Sequence, residues 1–292
     1  MDQFIQQMVN GISLGSIYAL IALGYTMVYG IIKLINFAHG DVYMIGAYIG
    51  FAATTYAQLG FFPALIISMA SCAVLGMVIE RVAYKPLRAS TRIAVLITAI
   101  GMSLLLEYVM MFFVGAEVRS YPKLLSSETF HLGNVVINMQ QIYIVATAIA
   151  LMILLQFIVH KTKTGKAMRA VSIDQDAAQL MGIKVDNTIS FTFAVGSAFA
   201  GAAGVLVGIY YNSIDPLMGI MPGLKAFIAA VFGGIGNIPG AMIGGVTIGI
   251  METLVSGYGN SMYRDAVVFA FLIIILILKP SGLLGKNIRE KV

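Results

Sequence analysis

Long apolar runs separated by short polar segments dominate this sequence of 292 residues. Several runs are longer than the ~18 to 20 residues that a helix needs to cross a bilayer. Hydrophobic residues make up 59% of the chain and charged residues 11%, whereas a soluble domain carries about 25% charged residues. The chain is therefore predicted to be an all-α integral membrane protein in which residues 1–292 form one polytopic helix bundle.

The apolar runs predict about eight or nine spans. Small residues recur along the first run and along the run that ends at Tyr211, which predicts helices that pack against protein rather than lipid. The glycine-rich segment 233–240, which also contains Pro239, would interrupt a helix, so one discontinuous helix is expected there. The predicted spans are residues 8–29, a second ending near 58, a third ending at 82, 93–114, 139–159, 188–211, the interrupted stretch from 225, and a last one ending at 278.

Basic residues cluster at the ends of the predicted spans. The positive-inside rule places such segments in the cytoplasm, so the C-terminus is predicted to be cytoplasmic, and the mixed-charge segment 115–138 and the N-terminus are predicted to lie outside. The net charge of +5 thus reflects orientation, and nucleic-acid binding is excluded. The basic residues of the three inner segments are Arg81, Lys85, Arg88 and Arg92; Lys161, Lys163, Lys166, Arg169 and Lys184; and Lys279, Lys286, Arg289 and Lys291.

The segment 161–187 is the longest polar interruption of the sequence. Its alanines and Val171 recur at helical spacing, which predicts a first short helix. Asp174 is suited to cap a second helix over residues 175–181, and Gly182 stands where a helix end needs a left-handed backbone. The segment is therefore predicted to be a compact contact surface for a cytoplasmic partner, with a solvated loop as the alternative.

Ionisable and polar residues within the apolar runs are the candidates for a translocation path or for interior pairing, because charged groups are costly at membrane depth. His39 and Asp41 could form a proton relay, but a local cap or an interhelical hydrogen bond is the simpler explanation. Glu107 could contact substrate or make a structural hydrogen bond. The full set of candidates is Asn36, His39, Asp41, Glu107, Lys225 and Glu252.

Several chemistries lack their sequence signals. Gly165 and Lys166 are not preceded by the glycine that a nucleotide-binding P-loop requires. Three widely separated histidines and one cysteine, Cys72, do not indicate a metal centre or an internal disulfide. We therefore expect neither a cofactor nor an enzymatic activity in this chain, and no cleavable signal peptide is evident at its start.

The inner segment TGKAMRAVSIDQDAAQLMGI resembles the cytoplasmic coupling segment of permease subunits of bacterial branched-chain amino acid ABC transporters. The similarity extends over essentially the whole chain, and its length resembles that of the smaller of the two paralogous permeases. Further blocks similar to the family, in the same order, are residues 36–40, Glu80 and Arg81 with Arg88, residues 225–227, 233–245, Arg264 with Asp265, and 279–285.

The resemblance implies a function and a set of partners. It implies an importer in the bacterial inner membrane that contains two separate ATPase subunits, a second paralogous permease and an external substrate-binding protein. Related permeases carry urea or short amides, which stays an alternative substrate class, and an ion-coupled secondary transporter is a more distant alternative. The residues that would form the coupling helix and its exit are Gly165, Arg169, Ala170, Asp174, Ala178, Gly182 and Ile183.

Overall fold

The computed structural model describes residues 1–88, 90–125 and 128–285. Seven helices among these residues are long and apolar enough to cross a membrane, which confirms the predicted all-α polytopic bundle. The helices are α1 (Asp2–Ile32), α2 (His39–Thr55), α3 (Phe61–Ile79), α4 (Arg92–Val114), α5 (Met139–Lys161), α6 (Lys163–Ile173), α7 (Gln175–Leu180), α8 (Val185–Tyr211), α9 (Ile220–Gly233), α10 (Ile238–Tyr258) and α11 (Arg264–Leu278).

Short elements connect some of these helices. A π-helical turn, Glu80–Tyr84, and a 3₁₀ turn, Lys85–Leu87, continue α3, and another 3₁₀ turn, Ser261–Tyr263, precedes α11. Two small antiparallel sheets, which the sequence did not predict, lie in the loops. They pair β1 (Arg119–Ser120) with β4 (Ser213–Ile214), and β2 (Thr129–Leu132) with β3 (Val135–Asn138).

The connecting elements define two opposite ends of the bundle. The α6–α7 pair lies between the end of α5 and the start of α8, and we call this the hairpin end. Both sheets lie at the far ends of α5 and α8, which we call the strand end. The start of α1 also lies at the strand end, because the Gln6 side chain donates a hydrogen bond of 2.9 Å to the Val136 carbonyl.

Helices α1 and α8 form the centre of the bundle and are buried along most of their length. Glycines bring α1 and α10 into backbone contact: a Cβ added to Gly15 would lie 2.6 Å from the Val246 Cα, and one added to Gly249 would lie 2.6 Å from the Gly11 carbonyl oxygen. Small residues permit this close approach between helices. The prediction that the first and sixth runs face protein is confirmed.

The predicted break in the glycine-rich segment is confirmed, because α9 ends at Gly233 and α10 begins at Ile238. The two helices are antiparallel neighbours, however, rather than two parts of one span: Gly233 lies against Gly240 and Ala229 against Gly244. Gly234 and Gly236 both have positive φ angles, of 101° and 91°, which lets the backbone reverse direction within four residues.

The C-terminal tail completes the turn between α9 and α10. The N–H groups of Leu283 and Leu284 donate hydrogen bonds of 2.7 and 3.1 Å to the carbonyls of Phe232 and Gly233. Gly236 of this turn lines a cavity together with Met168 and Ser172 of α6. The turn and the described tail therefore lie at the hairpin end. The basic residues Lys286, Arg289 and Lys291 lie outside the described residues.

Two of the helices begin inside the bundle. After α1, residues 33–38 run back toward the centre, and α2 starts where Gly40 contacts the backbone of Gly219, just before α9. Because α2 has 17 residues and α9 has 14, they extend only about 26 and 21 Å. With the seven long helices they make nine helices that run along the described bundle, in agreement with the predicted eight or nine.

Candidate coupling surface and interior polar clusters

Side-chain caps fix the shape of the α6–α7 hairpin. Thr162 accepts a hydrogen bond of 3.0 Å from the Gly165 N–H at the start of α6, and Asp174 accepts one of 2.9 Å from the Ala177 N–H at the start of α7. Gly182 has a φ angle of 82°, a conformation that glycine adopts without strain. The predicted cap and the predicted left-handed glycine are both confirmed, although α7 ends at Leu180 rather than at Met181.

The hairpin has a buried face and an exposed apolar face. Met168 and Val171 pack inward, and so do the predicted coupling residues Gly165 and Ala178, whereas Arg169, Ala170 and Ile183 are partly buried and Asp174 and Gly182 are exposed. The exposed apolar face consists of Ile173, Leu180 and Met181, with relative exposures of 87, 88 and 83%. The sequence analysis did not single out these three residues. The signal that could have revealed them is that they are large apolar side chains which do not belong to the buried face of the hairpin.

A cluster of charges, which we call the hairpin-end ion cluster, links α8 to the turns after α3. Asp186, in the first turn of α8, accepts hydrogen bonds from Lys85 Nζ at 2.7 Å and from Arg88 Nη1 at 2.6 Å. Arg88 also pairs with the buried carboxylate of Glu80, which accepts a hydrogen bond of 2.6 Å from the Ser190 hydroxyl. The start of α8 is therefore joined to the end of α3 by charge-assisted hydrogen bonds.

The same turns contact the segment that leads into α2. The Tyr84 hydroxyl donates a hydrogen bond of 2.9 Å to the side-chain oxygen of Asn36. Asn36 is buried, and this contact joins the returning segment 33–38 to the turn after α3. The backbone carbonyl of Asn36 also accepts a hydrogen bond of 3.1 Å from the N–H of His39, at the start of α2.

His39 and Asp41 point toward different helices. The His39 ring packs edge-on against Tyr25 of α1, with 4.8 Å between ring centroids, and lies beside Gly24. Asp41 accepts a hydrogen bond of 2.5 Å from the Ser103 hydroxyl of α4. For Asp41, the expected interhelical hydrogen bond is confirmed.

Asp41 and Glu107 come together beside a cleft of about 270 Å³. Both carboxylates are buried, and both line this cleft. The cleft lies between α4 and the first turns of α2 and α9, and we refer to it as the α2–α4–α9 cleft. Its lining includes Phe37, Gly40, Ile100, Ser103, Leu104, Gly219, Ile220 and Leu224 in addition to the two acids.

Lys225 and Glu252 come together in a second interior site, the buried ion cluster. Lys225 Nζ lies 2.9 Å from Glu252 Oε1 and 2.7 Å from Asp265 Oδ1, and the Tyr18 hydroxyl donates a hydrogen bond of 2.8 Å to Glu252 Oε2. Arg264 lies 3.6 Å from Glu252. The cluster thus joins α1, α9, α10 and α11, and each of its acids has a basic partner.

Comparison with known proteins decides the family. A family model described as "Branched-chain amino acid transport system / permease component" matches residues 7–277. The chain belongs to this permease family. The chain is 46% identical to the high-affinity branched-chain amino acid transport system permease protein LivH of Salmonella typhimurium, over 99% of this chain and 98% of that one. It is 42% identical to the permease protein BraD of Pseudomonas aeruginosa, with the same shares covered.

Membership of the permease family confirms the resemblance found in the sequence. It agrees with the helix content, because the seven long apolar helices make this a multi-pass membrane protein. A transport permease is also consistent with the absence of enzyme motifs from the sequence. Among the described residues, no group of three or more histidine, cysteine, aspartate or glutamate side chains could hold a metal ion.

Proposed function

We propose that this chain is the membrane-spanning permease subunit of an ATP-driven importer of branched-chain amino acids. Two separate ATPase subunits would supply the energy, a second paralogous permease would complete the membrane unit, and an external binding protein would deliver the substrate. The location would be the bacterial inner membrane, with the hairpin end and the C-terminus in the cytoplasm. The observation that carries the proposal is the apolar face of the α6–α7 hairpin in a chain of this family.

The hairpin is suited to dock into another protein. Ile173, Leu180 and Met181 expose apolar surface at a position flanked by the basic residues of segment 161–187, which lies outside the apolar length of α5 and α8. Large exposed apolar side chains with a polar rim are typical of protein contact sites. We therefore assign the contact with an ATPase subunit to these three residues, and a supporting role to the buried Gly165 and Ala178.

The hairpin-end ion cluster provides a route for movement from that surface. Only four residues separate the end of α7 from the start of α8, and Asp186 joins this start to Lys85 and Arg88. Tyr84, in the turn before Lys85, holds Asn36 and the segment that leads into α2. A displacement of the hairpin would thus reach α8, the end of α3 and the start of α2 through direct contacts.

The experiment that tests the proposal uses the permease co-expressed with its ATPase subunits, its paralogous permease and its binding protein. Leu180→Asp is expected to abolish co-purification of the ATPase and ATP-dependent uptake of leucine. A leucine side chain that becomes buried in a protein contact contributes about 1.5 to 3 kcal/mol. Its loss therefore lowers the affinity about ten- to a hundredfold. The matched control is Leu180→Met, which keeps an apolar side chain at the same position.

Three results would contradict the proposal. Leu180→Asp could bind the ATPase and transport leucine like the wild type, which would rule out docking through the hairpin. Purified permease alone could accumulate solute in liposomes under a proton or sodium gradient, which is the behaviour of a secondary transporter. The cognate binding protein could hold urea or a short amide instead of a branched-chain amino acid, which would change the substrate class and leave the mechanism intact.

A further inference from the structure

We propose that the α2–α4–α9 cleft is a substrate site of the permease, in which Asp41 and Glu107 receive the ammonium group of the transported amino acid. The inference rests on the proposed function and adds to it a recognition chemistry inside the membrane. The ligand class is a zwitterion with a branched apolar side chain. Three features of the cleft support this assignment: its acids, its helix ends and its apolar wall.

The two acids of the cleft lack a basic partner. Asp41 accepts a hydrogen bond from Ser103, and Glu107, a group of the same charge, lines the same cleft. Among the described residues, no lysine, arginine or histidine forms an ion pair with either acid, and the nearby buried cation of α9, Lys225, is held by Glu252 and Asp265. Two adjacent carboxylates at this depth are stable only with a proton or a cation between them.

The buried ion cluster is a useful comparison, because its buried acids are paired with a cation of the same chain. There, two carboxylates share Lys225, and the Tyr18 hydroxyl donates to one of them. The described chain thus provides a cation for that pair of acids but not for Asp41 and Glu107. A primary ammonium group carries three hydrogen-bond donors, which suits the acceptors of these two carboxylates.

The remaining parts of a branched-chain amino acid also have counterparts in the cleft. Helices α2 and α9 both begin there without a side-chain cap, and the partial positive charge of helix N-termini attracts a carboxylate. Gly40 and Gly219, which lie at these two starts, pack against each other and both line the cleft. Ile100, Leu104, Ile220 and Leu224 form an apolar wall for a branched alkyl group.

A cysteine-protection experiment tests the site in the assembled transporter without its binding protein, so that only the permease selects the ligand. Leu104→Cys places a thiol in the cleft, and Ile97→Cys is the matched control, because it is exposed on the same helix but does not line the cleft. The native Cys72 is buried. A small water-soluble methanethiosulfonate is the reagent, and the ligands are leucine, 3-methylbutylamine and 4-methylpentanoate.

Leucine is expected to slow labelling of Leu104→Cys and not of Ile97→Cys. The amine, which keeps the ammonium group, should protect as well, whereas 4-methylpentanoate, which lacks it, should not. Adding Glu107→Gln should raise the leucine concentration needed for protection about tenfold, since a hydrogen bond to a charged group is lost. Asp41→Asn is the second variant for this comparison, and co-purification with the ATPase shows that each variant is folded.

The possible results separate this inference from the proposed function. If 4-methylpentanoate protects as well as leucine, the acids do not read the ammonium group and the inference fails. It also fails if sodium ions protect and leucine does not, or if leucine gives no protection in a complex that still performs ATP-driven uptake. In the last case the proposed function stands. If the wild-type complex shows no ATP-driven uptake, the proposed function fails first.

Discussion

Single glycines control how closely the helices pack. A Cβ at Gly249 would meet the backbone of α1 at Gly11 and Gly15, whereas a Cβ at Gly101 on α4 would meet nothing within 4 Å. Both glycines are in helix interiors, so alanine would favour the helix itself equally at the two positions. Only the surroundings differ between them.

The same substitution is therefore expected to affect stability differently at the two glycines. Gly249→Ala should lower the midpoint of thermal unfolding of the purified permease, because overpacking against backbone costs about 1 to 3 kcal/mol. Gly101→Ala should leave the midpoint unchanged or raise it slightly, by up to about 1 kcal/mol of stability. A fluorescence-detected thermal melt in detergent measures both. Equal effects would mean that the α1–α10 contact does not limit stability.

Local sequence chemistry predicted some of the residue roles and not others. The Asp174 cap and the left-handed Gly182 were predictable because each depends on neighbours within three or four residues. The meeting of Asp41 with Ser103, or of Asp186 with Lys85 and Arg88, was not predictable, since these partners are more than sixty residues apart in sequence. Such contacts depend on the three-dimensional arrangement of the helices, which spacing along the chain does not reveal.

At the scale of elements, the buried ion cluster holds α11 to the bundle. Val268 is the only residue that is classed as buried in α11 within the described chain, so packing alone attaches this helix weakly. Asp265 and Arg264, in its first turn, instead reach Lys225 and Glu252. Lys225 is therefore the central group of the contact between α9, α10 and α11.

Lys225→Met is expected to destabilise the permease by about 3 kcal/mol, because it leaves Glu252 and Asp265 with only the more exposed Arg264, at 3.6 and 3.5 Å. The double variant Lys225→Met with Glu252→Gln should recover part of the loss, since one uncompensated charge is removed. Thermal melts of the wild type, both single variants and the double variant form a thermodynamic cycle. Additive effects of the two substitutions would show that Lys225 and Glu252 do not depend on each other.

Elements were predicted best where one physical signal dominates. The long spans followed from their apolar length, and the break before α10 followed from clustered glycines and Pro239. The reversal at that break was not predictable, because glycine permits a kink and a tight turn equally. The two small sheets were missed, since β1 and β4 have two residues each and pair across the whole of α5 to α8.

For the whole molecule, the positions of the start of α1, the tail and the α6–α7 hairpin predict its orientation in the membrane. The described tail and the α6–α7 hairpin lie at one end of the bundle, and the start of α1 lies at the other. Nine helices run along the bundle among the described residues. Because nine is an odd number, the two ends of the chain are expected on opposite sides, which agrees with this arrangement. By the positive-inside rule, the basic residues of segment 161–187 predict that the hairpin end is the cytoplasmic one.

Accessible cysteines would measure this orientation. Glu117→Cys, at the strand end, should react with a membrane-impermeant maleimide in intact spheroplasts. Gln179→Cys, on α7, should react only after the membrane is permeabilised, because the reagent cannot cross the intact membrane to the cytoplasmic side. Both positions are exposed, and the buried Cys72 serves as an internal background. The reverse pattern would place the hairpin outside and would be incompatible with a cytoplasmic ATPase.

The contact between the tail and the α9–α10 turn has a consequence for biosynthesis. Translation produces residues 232 and 233 well before residues 283 and 284, whose N–H groups bind the carbonyls of that turn. In a nascent chain, the α9–α10 turn therefore lacks these two hydrogen bonds until the tail has been synthesised and packs against it. A product that terminates before residue 283 would leave the carbonyls of Phe232 and Gly233 without the N–H donors of the tail.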